Sequence, residues 1–155
     1  MNATVTAAVL LACLGTGVIY GTDVFCAVVL RPAAAGARET SIADLVGRIH
    51  HYGDRRLPIP GVTAIVAAAA ALVATTDSTA RAALGLALAA MLAWLAIYLR
   101  VSAPINRRLR AAVTAVLPPQ EIRDLQNRWD AVITARAGLQ TLALAGLLAA
   151  LTAGR

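Results

Sequence analysis

Charge is scarce in this chain. Only 14% of its 155 residues are charged, 59% are hydrophobic in type, and the mean hydropathy is +0.72. A water-soluble domain carries about 25% charged residues, so too few are present to coat a soluble surface. The composition disfavours a soluble enzyme, a disordered tail and a secreted disulfide scaffold, and favours an integral membrane protein of one-domain length. Lysine is missing altogether. All 14 basic residues are arginine, against 8 acids, for a net charge of +6 and a pI near 10.6. Aromatics are also few, at 4%. Nucleic-acid binding needs a basic patch on a solvated surface, often with stacking aromatics. Here the arginines sit between long apolar runs, so no nucleic-acid partner is expected.

There are two cysteines, Cys13 and Cys26, on one predicted helix. Thirteen helical residues separate them by about 20 Å, whereas bridged Cα atoms lie within about 7 Å. They read as small buried hydrophobes. Leu10-Leu11-Ala12-Cys13 loosely resembles a lipoprotein cleavage site, but no basic residue precedes it and the apolar run continues past it. A signal peptide needs a positive start, so this segment is expected to stay as a permanent span. No Gly-rich phosphate loop, CxxC, HExxH or GxSxG is present.

What the chain does have is four long apolar stretches. A membrane helix needs about 20 mostly apolar residues. The stretches run over about 3–30, 57–76, 81–100 and 131–153, interrupted within only by Asp23 and Arg136. Lipid demands that backbone groups be satisfied within the segment, so all four are expected to be helical. The fold class is therefore all-α: an integral membrane four-helix bundle, one domain over 1–155, with short amphipathic cytoplasmic helices. Pro58, Pro60 and Gly61 crowd the start of the second span, where Pro is tolerated in a first helical turn. Asp77-Ser78-Thr79 reads as a tight turn joining spans two and three. Alanine runs such as 67–71 suit close helix packing.

The two long connections, 31–56 and 100–130, lie on one side of a four-span chain. They hold five and six arginines, while the opposite side has only Arg81 and Arg155. Positive charge marks the cytoplasm, so both termini are expected outside and both long connections inside. Ile42, Leu45, Val46 and Ile49 follow the spacing of an amphipathic helix, with Ser41 and Asp44 placed as a capping box. Ile122, Leu125, Trp129 and Val132 trace a second stripe after Pro118-Pro119, running straight into span four. Ile105, Leu109 and Val113 make a shorter one, with Arg107, Arg108 and Arg110 expected to face away. Such helices lie at the headgroup surface, with arginines near anionic lipid, or pack beneath the bundle.

An ionisable residue inside a membrane costs about 2.5–3.5 kcal/mol on the insertion scale. Asp23 lies about 10 Å in from the cytoplasmic end of span one. Thr16, Tyr20 and Asp23 share one face by their spacing of four and three. Arg136 enters span four from the same side at comparable depth. Gln140 is one turn further on that face and Trp129 two turns before. Asp23 and Arg136 are expected to face the bundle interior and to pair, either fixing helix register or serving a function; Cys26 would flank the same pocket.

The densest polar cluster is Ile49-His50-His51-Tyr52-Gly53-Asp54-Arg55-Arg56, which holds the only histidines. Adjacent histidines on a helix point about 100° apart, so they do not make a two-ligand site, and no further histidine completes one. No metal site is expected. A histidine suits proton acceptance through its near-neutral pKa; the bland alternative is one solvated histidine and one capping a turn with Asp54. Pro104 is expected to break the third helix at the membrane surface, either as a simple exit turn or aiming Ser102 and Asn106 into a cytoplasmic mouth.

Together these features resemble the anthrone oxygenase-like family of small four-span membrane proteins, over nearly the whole chain. The resemblance is carried by Gly17-Val18-Ile19-Tyr20-Gly21-Thr22-Asp23-Val24-Phe25, by Ser102-Ala103-Pro104-Ile105-Asn106, similar to the family's V-P-x-N exit from span three, and by Arg128-Trp129-Asp130 followed by Arg136. The histidine cluster resembles an actinobacterial-looking branch, and arginine without lysine suits a high-GC genome, hence a bacterial plasma membrane. Fungal members oxidise anthrones to anthraquinones with molecular oxygen, without metal or flavin, which implies no cofactor here. Ile133 stands where many relatives have histidine; if that histidine is the base, His50 or His51 must replace it.

The resemblance thus implies an oxygenase-like enzyme for a hydrophobic phenolic or polycyclic substrate. Asp23, His50 or His51, and Arg136 would form its catalytic centre in a pocket opening to the cytoplasm. Tyr20, Asn106, Trp129 and Gln140 would contact substrate, and Arg136 and Asn106 would steady an oxyanion. The alternative is a non-catalytic membrane scaffold or assembly partner, with Asp23–Arg136 purely structural. A transporter would need a homo-oligomer to make room for a path.

Overall fold

The computed structural model of the chain describes residues 2–112 and 117–153. Among them are four long helices and no strand: α1 (Ala3–Ala35), α2 (Glu39–Ala74), α3 (Ser78–Ala111) and α4 (Pro119–Ala153). All four are long and apolar enough to cross a membrane. The chain is an all-α four-helix bundle in which α1 packs on α2 and α4, and α3 packs on α2 and α4. Leu14 is 71% exposed, Ile59 71% and Val73 83%. Bulky apolar groups that face outward in this way suit acyl chains rather than water.

At one end, Thr75–Asp77 turns the chain between α2 and α3. The turn sits slightly earlier than Asp77-Ser78-Thr79 because Asp77 is itself the cap: its carboxylate accepts from the Ala80 amide at 2.7 Å, so Ser78 is already helical. The core of this hairpin end is mostly alanine, with Val5, Val9, Ala68, Ala71, Leu84, Ala87, Ala143 and Leu147 buried. Small side chains let the backbones close up. A Cβ on Gly15 would stand 2.5 Å from the Pro60 carbonyl oxygen, and one on Gly146 2.9 Å from that of Ala83.

The opposite, connection end departs from simple 3.6-residue periodicity. α1 continues past Leu30, and α3 continues past Pro104. In each, the helix widens by one residue before the proline: the Arg31 amide donates to the Cys26 carbonyl ahead of Pro32, and the Ala103 amide to the Tyr98 carbonyl ahead of Pro104. Proline has no N–H and its ring clashes with the carbonyl four residues back; the five-residue turn absorbs both defects. Pro104 therefore does not break the helix.

A third widened turn, Ile42–Val46, lies near the start of α2. It shifts the phase of the expected stripe, so Ile42 and Val46 are buried while Leu45 is 59% exposed. Ser41 makes no cap, since the helix already begins at Glu39 after an extended Arg38. These segments pack beneath the bundle. Ile42 and Val46 join Ile105, Leu109, Ile122, Leu125 and Trp129 in a second buried cluster. In α4 the stripe continues through Ile133, fully buried, rather than Val132; the i+4 step keeps pace with the helix where i+3 lags. Arg123 ties the end of α1 down, donating to the carbonyls of Ala34 and Ala37 at 3.0 and 2.6 Å and to Glu39 at 2.9 Å. Val113 lies outside the described residues.

Candidate functional site: a cavity between the two cores

Between the hairpin-end core and the connection-end core the four helices enclose a cavity of about 330 Å³. Its wall is mostly apolar, supplied by residues such as Ile19, Leu57, Ile65 and Leu95. Asp23, Cys26, His50, Asp54, Asn106, Trp129 and Arg136 also line it. Three of the eight sequence-predicted catalytic and substrate-contacting residues lie off this cavity, as follows from their positions on the helices.

Asp23 and Arg136 form the centre. The Arg136 Nη2 donates to Asp23 Oδ1 at 2.7 Å, with the two side chains only 7% and 2% exposed. The Trp94 indole N–H donates to Asp23 Oδ2 at 2.6 Å, and Arg136 Nη1 donates to Ser102 Oγ at 2.9 Å. Both carboxylate oxygens and two guanidinium nitrogens are thereby satisfied, as buried charge requires. The guanidinium carbon also lies 5.2 Å from the Trp94 ring centre and 5.7 Å from those of Tyr98 and Trp129. That aromatic surround attracts the cation through the ring faces.

A second polar group closes the connection end of the cavity. Asp54 Oδ1 accepts from Tyr98 Oη at 2.9 Å and from Asn106 Nδ2 at 2.8 Å, while Arg110 Nη1 stands 3.4 Å from Asp54 Oδ2. Arg110 therefore turns inward, unlike Arg107 and Arg108, which stay exposed. The carboxylate on α2 draws it in.

The two histidines separate. His50 is buried, lines the cavity and has its ring 5.4 Å from that of Trp129. His51 does not line it; it is paired with Arg55 and packs edge-on against Tyr52. The roughly 100° between successive helical residues makes this division unavoidable. Tyr20 is partly exposed and off the cavity, because the buried face of α1 runs through Thr16, Ile19 and Asp23 and leaves Tyr20 rotated away. Gln140 is buried one turn beyond Arg136, against a separate small void shared with Thr16 and Met91. Ile133 is enclosed in the connection-end core and does not line the cavity. The predicted set thus divides into Asp23, His50, Asn106, Trp129 and Arg136 together, and Tyr20, His51 and Gln140 elsewhere.

Sequence reasoning missed Trp94 and Tyr98. Their four-residue spacing on α3 was the available signal, since it sets them on one helix face; their rings are stacked 5.7 Å apart.

Among the described residues, His50 Nε2, Asn106 Oδ1, Trp129 Nε1 and Arg136 Nε are buried without a hydrogen-bond partner. All four belong to cavity-lining residues. Such orphaned atoms are uncommon in folded proteins; among them are two N–H donors, on Trp129 and Arg136, and a carbonyl acceptor on Asn106. Asn106 gives one amide N–H to Asp54, and its unpartnered carbonyl oxygen suits a ligand hydroxyl. Among the described residues no three His, Cys, Asp or Glu side chains gather into a metal-binding group. Comparison with protein-family models, with curated proteins and with solved structures gives no match to this chain.

Proposed function

We propose that this chain is a multi-pass protein of the bacterial plasma membrane, its connection end cytoplasmic and its termini outside, that binds a hydrophobic phenolic or polycyclic molecule and oxidises it with molecular oxygen. The observation that carries the reading is the gathering of His50, Asn106, Trp129 and Arg136, each with an unpartnered polar atom, around one apolar cavity. Ligand sites have this make-up: apolar walls, a few convergent polar groups and volumes from about 300 Å³ upward. The arginine-rich long connections support the orientation. The resemblance to anthrone oxygenases supplies the reaction class.

For an anthrone the balance is one substrate and one O₂ giving one anthraquinone and one water. His50 takes a proton from the ring methylene, and negative charge spreads to the ketone oxygen. Arg136 Nε and Trp129 Nε1 donate to that oxygen as the charge develops. The electron pair on carbon forms the bond to O₂, and the returning proton completes a hydroperoxide on that carbon. Loss of the second methylene hydrogen breaks the O–O bond, forms the new carbonyl and releases water. Asp23 holds Arg136 in place and is a positioning residue.

Product analysis tests the reading. Purified protein supplied with an anthrone should form anthraquinone faster than boiled protein does, with one O₂ consumed per product. A rate equal to the boiled control favours the second reading, a non-catalytic scaffold. That reading is favoured by the Asp23–Arg136–Trp94–Ser102 arrangement, which pairs the two buried charges with each other without any ligand.

A further inference from the structure

The cavity has walls toward the two cores, but one of its sides reaches the outer surface of the bundle. The lining residues that are exposed are apolar: Ile49, Pro58, Val62 and Leu99, with Val62 59% and Leu99 57% exposed. They come from α2 and α3. Along the spans, Pro58–Ala74 and Ser78–Ile97 touch each other less than any other neighbouring pair of the bundle does. Yet these two helices are fastened at both extremities. The Thr75–Asp77 turn joins them at one end, and Asp54, holding Tyr98, Asn106 and Arg110, joins them at the other. A seam that is clasped above and below but loosely packed between forms a window.

From this geometry we infer that the cavity is reached sideways from the bilayer, through a window between α2 and α3, and that its ligand is an apolar molecule dissolved among the acyl chains. The inference rests on the ligand-binding part of the reading above and adds the route. The Asp54 clasp stands across the route from the connection end, where a water-borne ligand would have to pass a half-buried, hydrogen-bonded carboxylate, a tyrosine and an arginine. The window side offers only methyl and methylene groups, which cost an apolar ligand no desolvation of polar groups. The ligand's polar end then meets His50, Trp129 and Arg136 at the back of the cavity, the arrangement of a flat ring system with one carbonyl or hydroxyl leading.

The chain's two tryptophans, Trp94 and Trp129, both line the cavity, so fluorescence excited selectively at tryptophan reports on it. The full-length protein in phospholipid vesicles is titrated with 9,10-anthraquinone, which partitions into the bilayer, and separately with anthraquinone-2-sulfonate, which stays in water. Anthraquinone should quench saturably and the sulfonate at least tenfold less effectively. The double variant Val62→Phe/Leu99→Phe, which fills the window from two exposed positions, should weaken anthraquinone quenching at least fivefold while its melting temperature stays within a few degrees. Equal quenching by the sulfonate, or undiminished quenching in the double variant, overturns the sideways route and leaves the ligand reading standing. Absence of saturable quenching by either probe overturns both. Quenching as expected, without any anthrone oxidation, upholds the route and removes only the reaction.

Discussion

Arg136 and Asp23 stand 113 residues apart in the chain, yet Arg136 Nη2 donates to Asp23 Oδ1 at 2.7 Å in the middle of the bundle. The pair joins α1 to α4, and through Trp94 and Ser102 it also takes hold of α3. Three helices are thus registered by one ion pair, and the guanidinium that remains partly free borders the cavity.

Asp23→Asn leaves the Arg136 charge without its counterion in an almost water-free setting. Removing one partner of such a pair costs about 3–5 kcal/mol. The double variant Asp23→Asn/Arg136→Gln carries no orphaned charge and should be more stable than Asp23→Asn alone. Exchanging the two charges should not restore stability, because a guanidinium at position 23 would meet the Trp94 N–H, a donor facing a donor. Thermal unfolding in detergent of the single, double and exchanged variants measures all three.

The hairpin-end core allows no side chain at two of its glycines. Gly15→Val and Gly146→Val should each destabilise by about 1–3 kcal/mol, because backbone carbonyls stand where the new carbons would go. Gly17→Ala and Gly138→Ala meet nothing within 4 Å and should melt close to the wild type. Unfolding temperatures of the four variants give the comparison.

Tyr98→Phe removes one of three partners of Asp54 and should cost about 1 kcal/mol, the usual net value of a hydrogen bond. Asp54→Ala frees Tyr98, Asn106 and Arg110 at once and should cost more than Tyr98→Phe. It should also open the cavity toward the connection end, seen as new quenching of tryptophan fluorescence by aqueous iodide.

The orientation has its own check. Reporter enzymes that fold only outside the cytoplasm should be active when fused at either terminus and inactive when inserted in 113–116. The reverse pattern would contradict the assignment drawn from the arginines.

Much of the fold is legible in the sequence, because apolar runs long enough to cross a bilayer have few other uses. Asp23 and Arg136 are legible for the same reason, as charges where charge is costly. What escapes is helical phase. Val132 and Ile133 are both apolar, so composition cannot choose between an i+3 and an i+4 step. The widened turns before Pro32 and Pro104 and at Ile42–Val46 alter the phase that a 3.6-residue reading assumes, which is why Leu45 was expected inside. Trp94 and Tyr98 escape because an aromatic within an apolar span looks like any other packing residue until Asp23 and Asp54 are placed beside it. His50 and His51 are equivalent in the sequence and become distinct only when the helix turns one toward the cavity.

That distinction provides the most direct test of where the chemistry takes place. Oxygen uptake with an anthrone substrate is measured for the wild type, His50→Ala and His51→Ala, each first confirmed to unfold at a similar temperature. A cavity-based reaction predicts that His50→Ala loses at least tenfold in rate while His51→Ala keeps the wild-type rate. Equal rates in all three, or a loss confined to His51→Ala, would contradict it.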